Sequence, residues 1–268
     1  MARQAPVSLD FTGHVVLVTG AAAGIGFGIA RAFHAAGARV ALGDLREQPL
    51  KRAATGLGGD RIFHGVVDVR DPTSVDAFVD SAERALGSAT VAVANAGIYP
   101  NTPVLDMDVE EWDRVMETNV RGVFLTCRAA ARRMVASRTR GKLITISSGA
   151  YASGRVGAAH YCASKAAVVM FTRVLALELA DRRINVNCIA PGLVKVDSEL
   201  SPISEEYETA LTRSIPWGRA GTPADIANAA LYLASPLADY VTGEVLAVNG
   251  GTSAGRPNLP LSTPPKKL

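Results

Sequence analysis

Residues 14–44 read HVVLVTGAAAGIGFGIARAFHAAGARVALGD. A β-branched run leads into a glycine-studded turn, then an Ala-rich stretch of helical period, then a second β-branched run that ends on an acid. Residues 14–19 are an expected strand bounded by Gly13 and Gly20. Residues 25–36 are an expected helix that stops at Gly37, and residues 39–43 a second strand closed by Asp44. Two parallel strands need a crossover between them, so this is a βαβ unit.

The rhythm repeats outward from there. Strands are expected at 62–67, 90–94, 142–147, 183–189 and 245–248. Helices are expected at 73–86 (after Asp71-Pro72), 109–136, 159–180 and 224–234. Several strands are solidly apolar, as strands covered on both faces should be. The fold class is therefore α/β: a single Rossmann-type doubly wound domain, a parallel sheet of about seven strands with helices on both faces. Ligands bind such sheets at the carboxyl ends of the strands, so function should sit in the loops that follow them. The domain is read as residues 1–255, including a polar, proline-bearing loop at 193–217 that could be a lid or substrate loop. Residues 256–268, RPNLPLSTPPKKL, form a Pro-rich tail.

Composition limits the functions available. A chain of 268 residues, 48% hydrophobic and 20% charged, is a globular protein and not a fibrous or disordered one. No apolar run approaches the ~20 residues of a membrane helix. Residues 1–10 lack the apolar segment of a secretory signal, so a cytoplasmic protein is expected. Net charge is +3 without a long basic stripe, which gives no reason to expect a nucleic-acid partner. The arginines of 128–140 read as a solvated helix end. Three cysteines without CxxC spacing predict neither a disulfide framework nor a zinc site, and no His/Cys/Asp cluster points to a metal.

The turn after the first strand, Thr19-Gly20-Ala21-Ala22-Ala23-Gly24-Ile25-Gly26, opens the first helix. Glycines there let the backbone approach a pyrophosphate, and the helix N-terminal amides face the anion. Asp44 ends the second strand, where a carboxylate can accept from both hydroxyls of an adenosine ribose and would repel a 2′-phosphate. No Lys or Arg lies among Ala21, Ala22 and Ala23. The cofactor expected is NAD, with Arg46 as the residue that could instead receive a phosphate. The blander role for Asp44 is to cap the turn that follows it.

Tyr161-Cys162-Ala163-Ser164-Lys165 sets Tyr161 and Lys165 at i and i+4 on one helix face. A phenol titrates near pH 10, and a neighbouring ammonium would favour its anion. The pair is a plausible proton-transfer unit. His160 is expected to face away from its neighbour, and Cys162 to be packing.

With these motifs in order, the chain resembles the short-chain dehydrogenase/reductase family from Leu9 to about Gly251. The matching stretches are TGAAAGIG at 19–26, Asp68-Val69, NAG at 95–97, Asn119, Ser148, YCASK at 161–165, Pro191-Gly192 and VTGEVLAVNGG at 241–251. The resemblance implies a set of roles. Gly20, Ala23, Gly24, Ile25 and Gly26 cradle the dinucleotide, and Asp44 and Leu45 meet its ribose. Asp68 meets the adenine amino group beside Val69, while Asn95, Ala96 and Gly97 flank the cofactor. Pro191, Gly192 and Val194 lie by the nicotinamide. Asn119, Ser148, Tyr161 and Lys165 are the implied catalytic set. Ser148 binds the substrate oxygen and Tyr161 moves its proton. Lys165 holds the nicotinamide ribose and lowers the Tyr161 pKa, and Asn119 bends its helix and holds a water near Lys165. One departure is Val196, where the family often has Thr on the carboxamide; Asp197 and Ser198 adjoin it.

Tyr151, Ile98, Tyr99, Val194 and Trp217 follow strands or lie in the 193–217 loop, and are expected to line the substrate pocket. The function expected first is NAD-dependent interconversion of a secondary alcohol and its ketone, the substrate being a small sugar, polyol or cyclic alcohol. The alternatives are an NADPH-dependent 3-oxoacyl-type ketoreductase and a catalytically silent nucleotide-binding member. The resemblance also implies a homo-oligomer, a dimer or tetramer packed through the helices at 109–136 and 159–180.

Overall fold

The protein is described from a computed structural model that covers residues 9–196 and 205–255. The tail at 256–268 and the neighbours Asp197 and Ser198 lie outside the described residues.

The elements run β1 (Val15–Thr19), α1 (Gly24–Ala35), β2 (Arg39–Asp44), α2 (Glu47–Leu57), β3 (Ile62–Val66), α3 (Pro72–Leu86) and β4 (Val91–Ala94). They continue with α4 (Val109–Met116), α5 (Gly122–Ala136), β5 (Lys142–Ile146), α6 (Ala159–Leu179), β6 (Asn185–Pro191), α7 (Glu205–Ser214), α8 (Pro223–Ala234) and β7 (Val245–Val248). The strands form one sheet in the order β3-β2-β1-β4-β5-β6-β7, and every pairing is parallel. The expected seven-stranded doubly wound sheet is the one observed.

Alternation along β1 shows how the faces are filled. Val15 and Leu17 join one core with Val79, Met134 and Val168, under α3, α5 and α6. Val16 and Val18 join the other with Ile29, Phe33 and Ile226, under α1 and α8. Both faces are dry, so each central strand must be apolar throughout. The strand order reverses between β1 and β4. Sheets of this kind bind ligands at such a reversal, above the carboxyl ends of the strands.

Four local readings differ from the sequence pattern. Helix α2 was not among the expected elements, and it carries Pro49 in its first turn. Pro is tolerated there since a first-turn N–H needs no helical partner, and Leu50, Ala53 and Ala54 supply a buried face. The sixth strand starts at Asn185, not 183, because Arg183 takes a left-handed φ of 57°. Part of the loop at 193–217 is helix α7, with Glu205, Glu206 and Glu208 in its first turn and Arg213 in its last. The helix expected at 109–136 is interrupted by a π-helical turn over Glu117–Arg121. No helix among the described residues is long and apolar enough to cross a membrane.

Candidate active site

The glycine turn is built by close approach. Gly20 has a φ of +65°, and a Cβ on it would lie 2.8 Å from Ala96 Cα. A Cβ on Gly26 would run into the Gly20 carbonyl oxygen. These two glycines let α1 start directly against β1 and the loop after β4. Asn95 locks that junction by donating from Nδ2 to Thr19 O at 2.9 Å and Gly20 O at 3.1 Å. Thr19 Oγ1 accepts from Asn95 N–H and Ala96 N–H. Thr19 opens the TGAAAGIG stretch, but the sequence reading gave its side chain no role.

Helix α1 begins after Ala23 with no side-chain cap and no acid in its first turn. Its first amides thus have no side-chain partner, which suits an anion. Asp44, 7% exposed, ends β2 beside this turn. Its Oδ2 accepts Ala22 N–H at 3.1 Å, and its Oδ1 accepts Arg46 N–H at 3.0 Å and Arg46 Nε at 3.3 Å. Asp44 therefore fills the capping role, which leaves room for the expected ribose role. A carboxylate has about four lone-pair sites, enough to accept two hydroxyls as well. These residues fit a dinucleotide. Leu45, 58% exposed, borders the same corner.

Asp68, implied to meet the adenine amino group, already has a partner within its own turn. Its carboxylate is paired with the adjacent Arg70, through Nε at 2.9 Å and Nη2 at 2.7 Å. The guanidinium holds this carboxyl below its usual range. Val69 is buried beside it.

Asn119 sits in the π-helical turn and is fully buried. It accepts Ile98 N–H at 2.8 Å and donates to Ile98 O at 2.9 Å and to Ser164 Oγ at 3.1 Å. This clamps the loop after β4 between α6 and the turn. Gly97 marks the convergence, since a Cβ there would lie 3.2 Å from Asn119 Oδ1 and 3.5 Å from Lys165 Nζ.

The Tyr161 phenol is largely buried, and the Ser148 side chain stands close enough to act on its titration. The Tyr99 ring meets the phenol ring edge to face at 6.2 Å. Arg155 Cζ lies 5.7 Å from the Tyr161 ring centroid, and Lys165 Nζ 5.6 Å. Lys165 donates to Ile146 O at 3.0 Å. The buried Ser147 hydroxyl donates to Lys165 O at 2.8 Å and so ties β5 to α6.

Lys165 was expected to act on the Tyr161 pKa, and its Nζ stands as near the ring as the Arg155 guanidinium does. Burial raises the phenol's pKa, and the Ser148 side chain and the Arg155 charge act to lower it. Lys165 faces the Ile146 carbonyl, and burial brings its own pKa down to about 8. Arg155 was not found in the sequence. Its contact with Tyr161 spans a loop, and no spacing rule reports such contacts.

Among the expected pocket residues, Ile98 and Tyr99 stand at the site, and Tyr151 packs half-buried on the core below it. Val194 is corrected: its side chain is core, and its backbone bridges to Gly221. Its neighbour Val196 comes within 3.5 Å of a Cβ placed on Gly24, so this segment overhangs the glycine turn. Trp217 is 74% exposed and tied to Gly250 by its backbone N–H, beside the turn after β7. Pro191 ends β6 buried, and Gly192 leaves no room for a Cβ against Asn249.

Known proteins match this arrangement. The family model described as Enoyl-(Acyl carrier protein) reductase matches residues 20–253. The 3-oxoacyl-(acyl-carrier-protein) reductase FabG of Chlamydia muridarum is 38% identical over 238 residues, 88% of this chain and 95% of that protein. The protein of the same name from Escherichia coli is 37% identical over 243 residues, covering 91% of this chain and 98% of its own. A crystal structure of a short-chain type dehydrogenase/reductase from Mycobacterium marinum superposes with a TM-score of 0.87 at 38% identity, covering 92% of this chain and 98% of that one. The chain belongs to the short-chain dehydrogenase/reductase family, oxidoreductases that interconvert hydroxyl and carbonyl groups with a nicotinamide dinucleotide.

Proposed function

We propose that this protein is a ketoreductase of the 3-oxoacyl type that uses NADH. The observation that carries the chemistry is the largely buried Tyr161 phenol, flanked by Tyr99 and Arg155 with the Ser148 side chain nearby, together with a glycine turn shaped for a dinucleotide. The names of the relatives support a 3-oxoacyl substrate better than the sugar, polyol or cyclic alcohol that the sequence put first. Asp44 supports NADH, because a second anion beside its carboxylate would be repelled. Arg46, whose side chain is 30% exposed next to Asp44, favours the second reading, NADPH.

Bound nicotinamide supplies the hydride. Ser148 donates its hydroxyl hydrogen to the substrate carbonyl oxygen. Tyr161 gives that oxygen its proton as it becomes an alkoxide, and takes the proton back in oxidation. Lys165 and Asn119 keep the loop after β4 and the start of α6 in register around the phenol.

A homo-oligomer in the cytoplasm belongs to the same proposal. Phe124 on α5 and Met170, Val174 and Leu177 on α6 are exposed apolar side chains suited to a second copy. Cys127, Cys162 and Cys188 are free thiols. Sedimentation showing monomer alone would remove the oligomer from the proposal.

Absorbance assays with 3-oxoacyl thioesters, sugars, polyols and cyclic alcohols test the reading, each with NAD(H) and NADP(H). Thioester reduction that falls by about 10²–10⁴ in Tyr161→Phe is expected. Turnover of polyols alone restores the alcohol dehydrogenase, and cofactor binding without any turnover restores the silent module.

A further inference from the structure

Tyr161 is faced by groups from several elements. Arg155 comes from the loop before α6, Tyr99 from the loop after β4 and Ser148 from the end of β5. Lys165 and Cys162 are on α6 itself. His160 and, through it, Glu111 of α4 hold the Tyr161 backbone.

Two of these groups bring a cation within 6 Å of the ring, and they are not equivalent. Burial brings Lys165 to a pKa of about 8, so its charge fades towards alkaline pH, and one of its N–H groups donates to the Ile146 carbonyl. A guanidinium keeps its charge at any working pH. Arg155 is also seated: Nη2 donates to Asn101 Oδ1 at 3.2 Å. Thr102 N–H donates to Gly157 O at 2.8 Å, which joins the loop carrying Asn101 to the loop carrying Arg155.

We propose that Arg155 is a positioning residue for Tyr161: its guanidinium, seated over the phenol ring by Asn101, stabilises the phenolate left when Tyr161 has protonated the substrate oxygen. This rests on the reading of Tyr161 as the proton donor. In the step, the phenol O–H bond breaks and a substrate O–H bond forms. The electron pair stays on the phenolate oxygen until solvent returns a proton, and Arg155 exchanges none. A fixed cation at this range favours the anion of the ring it covers. The Arg155 charge acts on the phenol in that direction.

The test titrates tyrosinate absorbance in the protein without cofactor, with Tyr161→Phe subtracted to isolate one phenol. Arg155→Gln should move the Tyr161 midpoint up by about one pH unit. Arg155→Lys keeps the charge and should stay near wild type. The alkaline-activated limb of kcat for alcohol oxidation should move with the midpoint. An unchanged midpoint in Arg155→Gln overturns the proposal, as does an Arg155→Lys midpoint displaced as far as that of Arg155→Gln. A shifted midpoint in a protein that turns over no carbonyl would sink the reductase reading and leave the charge effect of Arg155 on the phenol standing.

Discussion

The His160 ring nitrogen Nδ1 accepts the backbone N–H of the adjoining Tyr161 at 2.7 Å. That N–H lies in the first turn of α6 and has no partner within the helix, and the N-cap residue Ala158 supplies no side chain to it. With Nδ1 accepting, the neutral ring carries its proton on Nε2 and donates it to Glu111 Oε1 at 2.8 Å. The histidine beside the reactive tyrosine is thus a buried cap, anchored on α4.

Glu111→Ala should therefore destabilise the fold. It leaves a buried imidazole N–H without an acceptor, at a cost of about 1–3 kcal/mol. Hydrogen bonds from Thr102 and His160 hold the Glu111 pKa below its ordinary 4.5. The unfolded chain then binds this proton more readily than the folded one. The stabilisation is complete above the ordinary carboxylate range and is lost as pH falls through the folded value. Urea unfolding of wild type and Glu111→Ala at pH 7 and at successively lower pH checks this: the difference should shrink towards acid.

Lys165 costs stability in order to serve the site. Burial lowers its pKa from 10.5 to about 8. Between those values the unfolded chain holds a proton that the folded one has released, so stability rises with pH across that window. Below it, burying the charge costs on the order of 3 kcal/mol. Lys165→Met should be inactive yet more stable at pH 7 by about 1–2 kcal/mol, after loss of the Ile146 hydrogen bond is counted. Unfolding curves at pH 7 and pH 10 decide the matter, and a less stable Lys165→Met at pH 7 contradicts it.

Asp44 should set the cofactor. Wild type is expected to prefer NADH over NADPH by about 10- to 100-fold in kcat/KM, since an unpaired like charge costs several kcal/mol. Asp44→Ser should bring the ratio towards parity, with Arg46 released from its carboxylate partner. A wild-type preference for NADPH would show that Arg46, not Asp44, governs the ribose corner.

Asn119→Ala removes hydrogen bonds to both backbone groups of Ile98 and to Ser164. Left unpaired in a buried place, the Ile98 groups should cost about 2–4 kcal/mol. The loop after β4 should loosen first. Hydrogen exchange at the Ile98 amide should accelerate more than that of amides in β4, and turnover should fall with it.

Much of this molecule was legible because its signals are local. The buried run Val91–Ala94, the glycines of the β1–α1 turn, and Tyr161 with Lys165 on one helix face all declare themselves within a few residues. The parts that were not legible depend on distance or on mixed signals. Glu111 meets His160 across 49 positions of sequence. Arg155 reaches Tyr161 only because its loop folds back over the ring. Asp68 carries a family motif, but the neighbouring Arg70 takes its carboxylate. Helix α2 buries only Leu50, Ala53 and Ala54, too short an apolar stripe to stand out from the polar residues around it.

The π-helical turn at Glu117–Arg121 has a consequence for the whole helix it interrupts. One residue more per turn rotates everything downstream by about 100° relative to an uninterrupted helix. The segment is therefore a splice between two phases. Before it, α4 packs against α6; after it, α5 packs against α3 and β4. Gly122 begins the second phase, lodged against Val69 with no space for a Cβ. Deleting one residue from the splice would yield a smoother helix and a worse protein. The buried face that carries Val123, Ala130 and Met134 would swing out of the core, and Asn119 would lose its aim at Ile98.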